Sequence, residues 1–290
     1  MNAEVAIEAV VRDRLGVGIR SSDPLPGGSI HDVRRLSLAD GGTCVVKVAD
    51  IVDASMLHGE ATGLDALKAT ATVRTPAVLG ISDTESCTVL ITEYLSPCAS
   101  GSADWDAFGS RLGELHSRGG ADRYGFSEDN HLGRTPQSNG WSDDWVEFLA
   151  LHRLGPQLRL ARDGARLGPS QAAAIDSIID RLDRLVPRHP HPSLLHGDLW
   201  SGNALPLSDG GVAVLDPACS YGDAWFDIGM MRLFGGFPEE CFAAWAAGRD
   251  DHAQSAERIA VAKLYHLLNH LNLFGGGYRP QVEEMVRTLV

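Results

Sequence analysis

Apolar residues recur at helical spacing through the first sixteen positions, which predicts an amphipathic helix at the start of the chain. Charged residues such as Glu4, Glu8 and Arg12 interrupt this stretch. A secretory signal needs an uninterrupted apolar core, so the pattern does not favour one. No run in the chain approaches the roughly 18 apolar residues of a membrane-spanning helix. We therefore expect no contact with a membrane.

The pattern then changes to alternating and β-branched residues. Two such runs surround the turn signals Pro26-Gly27-Gly28 and Asp40-Gly41-Gly42, which is typical of antiparallel hairpins. Apolar residues at helical spacing predict a helix over residues 53–70. The stretches "AVLGI" at 77–81 and "CTVLITEYL" at 87–95 predict two more buried strands.

From Asp104 onward the pattern is mainly helical. In "DWDAFGSRLGELHSR", the apolar positions fall on one face of a predicted helix. Further helices are predicted over residues 141–161, 170–186, 256–276 and 279–290. Together the patterns predict an α+β fold of two lobes. A small β-rich N-terminal lobe occupies residues 1–97, and a larger, mainly helical lobe occupies residues 98–290.

The charge and cysteine content of the chain limit the kinds of partner and location that we expect. The 290 residues carry a formal net charge of −13, whereas general binders of nucleic acid or anionic membranes need a surplus of Lys and Arg. Acidity is compatible with a cationic substrate, but many soluble proteins are acidic. The five cysteines are scattered and form no CxxC pair, a usage that fits reduced thiols and predicts a cytoplasmic location.

The turn "LLHGDLWSGN" at residues 194–203 carries the first candidate chemistry. Asp198 and Asn203 lie five positions apart, and Asp216 follows thirteen positions later, after the apolar run "VAVL". Phosphoryl transfer from ATP needs a carboxylate that takes a proton from the attacking hydroxyl, and oxygen ligands for magnesium. Asp198 suits the first task, and Asn203 and Asp216 suit the second. Each alone fits an ordinary turn, but their spacing and order match the kinase pattern.

Lys47 stands in the middle of an apolar strand, "CVVKVA". A buried ammonium group is costly unless an opposite charge pairs with it. Glu60, on the helix that follows, is the expected partner, as in the Lys–Glu pair that positions ATP phosphates in kinases. Two alternatives stay open. In the first, Lys47 extends to solvent from a strand edge. In the second, the partner of Lys47 is Asp65, which lies farther along the helix.

Two more segments are candidates for nucleotide binding. The first hairpin turn has glycines that would let backbone amides approach phosphate oxygens, although a plain turn explains them equally well. The strand over 87–95 ends where backbone groups would face adenine, and a strand entering a linker is the alternative. The candidate nucleotide contacts are Gly27, Gly28, Ser29, Lys47, Glu60, Glu93, Tyr94 and Leu95.

These motifs resemble the fructosamine-3-kinase (ketosamine-3-kinase) family, within the kinase-like phosphotransferases that include aminoglycoside and choline kinases. "HGDLWSGN" is similar to the family's catalytic loop, and "DPACSYGDAWFDIGMMRLFGGF" to its magnesium-binding segment. "PGGSIHDV", "VVKV" and "LYHLLNHLNLFGGGY" have counterparts in the same order, so the resemblance covers nearly the whole chain. It implies a protein-kinase-like fold and an enzyme that uses ATP and Mg²⁺ to phosphorylate the 3-hydroxyl of ketosamines. The product then releases its amine, which is a deglycation repair.

The resemblance also implies roles for single residues. Asp198 is the catalytic base, and Asn203 and Asp216 hold magnesium. Asp227, in "WFDIG", resembles the acidic residue that supports the catalytic loop from below. Candidate substrate contacts in the loop are Trp200 and His196, with a core position under the loop as the alternative for Trp200.

The sequence departs from the family at two positions. Asp223 follows Tyr221-Gly222 where relatives often have His, which leaves the substrate contacts there open. Ser29 stands where some relatives carry a cysteine, so no redox switch is expected in that loop. His266 and His270, spaced like metal ligands on a late helix, are interpreted as ordinary helix residues because no HExxH pattern accompanies them. Trp141 and Trp145 are interpreted as packing residues first.

Rival functions are a kinase of the same fold for another acceptor, such as an aminoglycoside, choline or a sugar, and a silent nucleotide-binding protein. The shared phosphate-handling residues do not separate the acceptors, because fold does not determine substrate. The intact Lys47, Asp198, Asn203 and Asp216 count against the silent protein. We expect a small-molecule partner, no nucleic acid, and a monomer or weak homodimer.

Overall fold

The structure, a computed structural model, describes residues 3–25, 31–98 and 102–290. Its contacts divide the chain into two compact units. Unit 1 comprises Met1–Ala103 together with Leu205–Pro217, and unit 2 comprises Asp104–Ala204 and Ala218–Val290. The α+β class is confirmed, with the sheet in unit 1 and most helices in unit 2. The exact lobe boundary at residues 97 and 98 stays a prediction.

Unit 1 is built on a five-stranded antiparallel sheet in the order β1-β2-β3-β5-β4. The strands are β1 (Ile19–Pro24), β2 (Asp32–Leu38), β3 (Thr43–Asp50), β4 (Val78–Asp83) and β5 (Cys87–Glu93). Helix α1 (Ala3–Leu15) and helix α2 (Ala54–Ala69) pack against it. A late hairpin, β9 (Ala204–Pro206) and β10 (Val212–Val214), contributes its last two β9 residues and all of β10 to this unit.

The alternation of side chains along β3 places its residues on two different cores. Cys44, Val46 and Val48 pack in one cluster with the apolar face of α1. The intervening residues point to the opposite face, where Ala49 joins a cluster with α2. Lys47 shares that second face, so the strand period itself directs its ammonium group toward α2.

Unit 2 is mainly helical. Its helices are α3 (Trp105–Arg118), α4 (Trp145–Leu149), α5 (Gly155–Asp163), α6 (Pro169–Ile179), α7 (Leu182–Leu185), α8 (Trp225–Phe234), α9 (Glu239–Ala246), α10 (Ser255–Phe274) and α11 (Arg279–Leu289). Two short antiparallel pairs accompany them: β6 (Asn130–Leu132) with β7 (Thr135–Gln137), and β8 (Ser193–Leu195) with β11 (Ser220–Gly222). The predicted helices are present, except that the one predicted over 170–186 is divided into α6 and α7, and α8 and α9 are additions to them.

The predicted helix over 141–161 contains a π-helical turn at Ala150–Leu154 between α4 and α5. Arg153 lies in this turn and is buried. Its guanidinium donates to Ser138 O at 2.8 Å, to Asn139 Oδ1 at 2.7 Å and to Ser220 Oγ at 3.0 Å. Burial lowers the pKa of Arg153 to about 10. The polar acceptors around it therefore take the place of bulk water for the buried cation.

Helices α3 and α9 approach so closely that one position tolerates only glycine. A Cβ on Gly109 would lie 2.1 Å from the backbone oxygen of Cys241. Gly113, one turn later, would place its Cβ 3.2 Å from Trp245 O. The first contact has no room for a methyl group, and the second needs a shift of a few tenths of an ångström.

We expect Gly109→Ala to lower the free energy of unfolding by about 1–3 kcal/mol, the usual cost of added volume in a packed interior. Gly113→Ala is the matched control, and its change should stay below about 1 kcal/mol because improved helix propensity offsets the tighter contact. Urea unfolding of both variants measures the difference. Equal losses in the two would contradict this account of the α3–α9 contact.

Candidate active site

The ammonium group of Lys47 is the centre of the candidate site in unit 1. Its Nζ lies 2.6 Å from Oε1 of Glu60 and also contacts Oδ1 of Asp216. The side chain of Lys47 is only 12% exposed, so the alternative in which it extends to solvent is wrong. Asp65 is exposed on α2 and is not the partner. The predicted Lys47–Glu60 contact is present, and its second carboxylate was not predicted.

Two carboxylates share this single cation, and the pKa values reflect it. Burial works to lower the pKa of Lys47, but Asp216 and Glu60 together raise it above its ordinary value. Burial raises the pKa of Glu60 to about 7, against the effect of Lys47 and with the help of Asp216. When both carboxylates are ionised, the cluster of Lys47, Glu60 and Asp216 therefore carries a net charge of −1.

Asp216 presents its carboxylate from a backbone conformation that few side chains adopt. Its φ is 55°, in the left-handed region, which Asp tolerates better than most residues. The side chain is 53% exposed, far more than that of Glu60. Asp216 is thus the oxygen donor of this cluster that a bound cation can reach.

The catalytic-loop sequence in unit 2 begins where β8 ends. Gly197 has a φ of 82°, and a Cβ there would lie 2.1 Å from Ala218 O. The N–H of Ala218 donates to His196 O at 2.8 Å. The loop therefore turns sharply against the chain at Ala218, and the turn requires glycine at 197.

Asn203 holds Asp198 in place. Its Nδ2 donates to Asp198 O at 2.8 Å and lies 3.4 Å from Asp198 Oδ2. A short 3₁₀ turn over Ser201–Asn203 brings the two residues together. Because the amide nitrogen is committed to Asp198, Oδ1 is the atom that Asn203 can offer to a cation. The structure thus brings together the predicted base and one predicted metal ligand of unit 2.

Asp227 lies buried beneath this loop. Its Oδ2 accepts from the His196 N–H at 2.8 Å, and its Oδ1 accepts from the Gly197 N–H at 2.9 Å. Nε2 of His116 lies 3.1 Å from Oδ2. Burial works to raise the pKa of Asp227, but these hydrogen-bond donors hold it below its ordinary value. The supporting contacts expected of Asp227 are present, while His116 was not predicted.

The two candidate substrate residues of the loop differ in exposure. Trp200 is 41% exposed, so the core alternative for it is wrong. Its ring lies over Gly202, where a Cβ would come within 2.2 Å of the indole. His196 is buried, and its Nδ1 accepts from the Asp198 N–H at 3.2 Å. These contacts favour a loop-shaping role for His196, and its contact with substrate stays a prediction.

The candidate adenine contacts lie at the end of β5. The Glu93 N–H donates to Ala77 O at 2.8 Å, so this amide is already used. The Leu95 side chain is buried in a cluster with Leu207, and Tyr94 is half-buried. A backbone contact to adenine stays a prediction for this segment.

The candidate phosphate loop lies outside the described residues, and its role stays a prediction. It comprises Gly27, Gly28 and Ser29.

Asp223, the position at which relatives often have His, is a buried ion-pair partner. Its two carboxylate oxygens accept from Nε and Nη2 of Arg258 at 2.7 and 2.5 Å. Arg258 also donates to Asp251 O at 2.6 Å. Asp223 is fully buried within unit 2, so its side chain is not exposed to a substrate. The sequence held no sign of Arg258, which lies on α10.

The two late histidines have different surroundings. His266 is buried, and burial lowers its pKa to about 3. Nδ1 of His270 donates to the backbone oxygen of His266 at 2.8 Å. Among residues 3–25, 31–98 and 102–290, no group of three His, Cys, Asp or Glu side chains is arranged to hold a metal ion. Both histidines lie within α10, as the helical pattern predicted.

Trp141 and Trp145 differ in their burial. Trp145 is buried in the core of unit 2 and stacks on Phe148 at 5.4 Å between ring centroids. Trp141 is exposed and stacks on Tyr221 at 6.0 Å. Trp145 is therefore a packing residue, whereas Trp141 contributes to the surface.

Comparison with known proteins gives concordant matches. The family model described as fructosamine kinase matches residues 4–290. A probable ketoamine kinase from Synechocystis sp. is 39% identical over 242 residues, which cover 83% of this chain and 81% of that protein. The chloroplastic protein-ribulosamine 3-kinase of Oryza sativa subsp. indica is 36% identical over 271 residues, covering 90% of this chain and 76% of that protein.

A solved structure agrees with these sequence matches. A crystal structure from Thermobifida fusca, described as that of a putative fructosamine-3-kinase, has a TM-score of 0.88 and 30% identity, and the match covers 98% of both chains. The protein-kinase-like fold class predicted from the sequence is confirmed. No helix in the described part of the chain is long and apolar enough to cross a membrane.

The raised pKa of Glu60 predicts a pH-dependent stability. The folded protein holds the Glu60 proton up to about pH 7, whereas the unfolded chain releases it near 4.5. The stability that Glu60 contributes is therefore fully present below the lower value and is lost as the pH rises to the higher one. Relative to Glu60→Gln, the wild type should lose free energy of unfolding between about pH 5 and about pH 8.

Denaturant unfolding across that range measures this difference. The control is Asp65→Asn, which removes an exposed carboxylate from the same helix and should follow the wild-type profile. Parallel profiles for wild type and Glu60→Gln would show that the Glu60 carboxyl does not titrate in this range.

Proposed function

The chain belongs to the fructosamine kinase family, and from this membership we propose that it phosphorylates the 3-hydroxyl of ketosamines, the rearranged adducts of sugars with amines. Members of the family are kinases, so the chain is a phosphotransferase that uses ATP and acts on a hydroxyl group. The acceptor class comes from the relatives, which are named for ketoamines and ribulosamine.

The observation that carries the proposal is the geometry of the catalytic loop. Asp198 is half-buried, and its carboxylate lies beside Asn203 Nδ2 in a turn anchored on Asp227. A carboxylate held in this way can accept the proton of an acceptor hydroxyl. As that proton leaves, the hydroxyl oxygen bonds to the γ-phosphorus of ATP. The bond from phosphorus to the β,γ-bridging oxygen breaks, and its electrons leave with ADP.

Lys47 is proposed to bind the α- and β-phosphates, as the corresponding lysine does in kinases. Its ammonium group is fixed by Glu60 and Asp216, so little side-chain freedom is lost when a phosphate approaches. The surplus negative charge of the cluster suits a site that also receives a divalent cation. Glu60 acts through Lys47 and is a positioning residue.

Each unit offers an oxygen donor of the kind that magnesium prefers. Mg²⁺ prefers oxygen ligands and takes one or two carboxylates, with phosphates and water completing its shell. Asp216 offers an exposed carboxylate, and Asn203 offers its Oδ1. Bound Mg²⁺ would neutralise charge that develops on the transferring phosphoryl group.

Trp200 is proposed to contact the sugar of the ketosamine. Its exposed indole follows Asp198 by two positions, and a flat aromatic face suits the apolar side of a sugar ring. A cytoplasmic location and a monomeric or weakly dimeric state stay predictions.

The first test measures ATP consumption, with magnesium, across fructosamine, ribulosamine, free hexoses, choline and an aminoglycoside. We expect turnover with the ketosamines only, and a fall in kcat of roughly a thousandfold or more in Asp198→Asn, since the base is lost. Asn203→Ala should also lose turnover, with a higher magnesium requirement. Turnover with another acceptor alone would overturn the ketosamine assignment, and ATP binding without any turnover would favour the silent protein.

A second prediction concerns the acceptor side. Trp200→Leu should raise the KM for ketosamine by roughly two- to tenfold, because aromatic contact is worth about 0.5–1.5 kcal/mol beyond the buried area. The KM for ATP should be unchanged. Trp141→Leu, which removes another exposed indole of unit 2, is the control. A rise in the KM for ATP instead would place Trp200 at the nucleotide.

A further inference from the structure

We propose that His116 and Trp245 are positioning residues of the catalytic loop. They act through Asp227 as a relay of hydrogen bonds, in which the indole of Trp245 orients the imidazole of His116 and the imidazole orients the carboxylate. Neither residue belongs to the loop motif or to the Lys47 cluster. The proposal rests on the proposed kinase activity only for its kinetic test.

The direction of each bond follows from the donor inventory. The indole N–H of Trp245 can only donate, and it lies 2.9 Å from Nδ1 of His116. Nδ1 must therefore accept, so the imidazole proton is on Nε2. That N–H points at Oδ2 of Asp227, 3.1 Å away. One donor group thus selects the tautomer of His116 and makes it a donor to the carboxylate.

The carboxylate passes this orientation to the loop. Asp227 accepts from the backbone N–H groups of His196 and Gly197, the two residues before Asp198. With the His116 contact, three N–H groups fix both of its oxygens. If His116 adopted the other tautomer, its unprotonated Nε2 would face Oδ2, and two acceptors would repel one another. The carboxylate would then rotate, and its bonds to the loop amides would weaken.

Burial makes the relay sensitive to the loss of any member. Relative exposures are 0% for His116, 1% for Asp227 and 2% for Trp245. Bulk water therefore cannot replace a missing donor. The members come from three helices, α3, α8 and α9, and the backbone oxygen of His116 also accepts from Ser193 Oγ in β8. The relay consequently ties three helices and the strand that precedes the loop to a single carboxylate.

The rival interpretation is that Trp245 only fills space. The chain offers a matched control, because Trp225 packs edge-to-face against Trp245 at 4.8 Å between ring centroids and is also buried. The indole N–H of Trp225 donates to Asp251 O, outside the relay. Trp245→Phe and Trp225→Phe each remove one indole N–H and a similar volume, but only the first breaks the relay.

The experiment uses the full chain and three readouts. Steady-state kinetics with ATP and a ketosamine should show that Trp245→Phe lowers kcat by roughly five- to tenfold, the rate equivalent of one hydrogen bond. The KM for ATP should stay within about twofold. Trp225→Phe should keep a kcat close to that of wild type, even if its melting temperature falls as far as that of Trp245→Phe.

The other readouts need no turnover. Nitrogen-15 NMR should find Nδ1 of His116 unprotonated and Nε2 protonated in the wild type and in Trp225→Phe, and a changed signature in Trp245→Phe. Amide hydrogen exchange at His196 and Gly197 should be faster in Trp245→Phe alone. His116→Gln, which can still donate to Asp227, should retain more kcat than His116→Leu.

Equal kinetic losses in the two tryptophan variants, or an unchanged His116 tautomer and unchanged loop exchange in Trp245→Phe, would overturn the relay. If the wild type turned over no acceptor, the proposed function would fail, and the NMR and exchange measurements would still decide the relay.

Discussion

The buried carboxylate of Asp227 is the group on which the catalytic loop depends. A carboxylate taken out of water is costly, and here backbone and imidazole N–H groups meet that cost. Two of the donors belong to the residues that directly precede Asp198. The direction of the candidate base therefore depends on a carboxylate that holds the two backbone N–H groups before it. Gly197 completes the arrangement, since only glycine fits the turn against Ala218.

Unit 1 uses the opposite electrostatic arrangement. There a buried ammonium group is balanced by two carboxylates, one enclosed on α2 and one exposed after β10. The alternation of β3 directs Lys47 toward α2, and the left-handed backbone at Asp216 brings the second carboxylate to it. The excess negative charge and the exposed oxygen are properties expected of residues that handle phosphate together with a cation.

Local patterns predicted the elements and the motif residues well. Lys47 was recognisable because a charge interrupted an apolar strand, and the loop because Asp198, Asn203 and Asp216 kept a known spacing. His116 and Arg258 were not recognisable, because each sits on a helix whose spacing only reports which face is buried. Their partners lie 111 and 35 positions away in the chain. Long-range pairing of buried polar groups leaves no periodic signal in one sequence. The same limit applies to the hairpin of β9 and β10, most of which packs with unit 1 although it lies in the second half of the chain.

The most direct test of the central claim is phosphorus NMR of the product formed from ATP and a fructosamine by the wild-type protein. We expect a new phosphomonoester signal coupled to the hydrogen on carbon 3 of the sugar, absent with Asp198→Asn, followed by the appearance of free amine. A phosphoester coupled to a hydrogen on another carbon, or ADP and inorganic phosphate with no phosphoester, would contradict it.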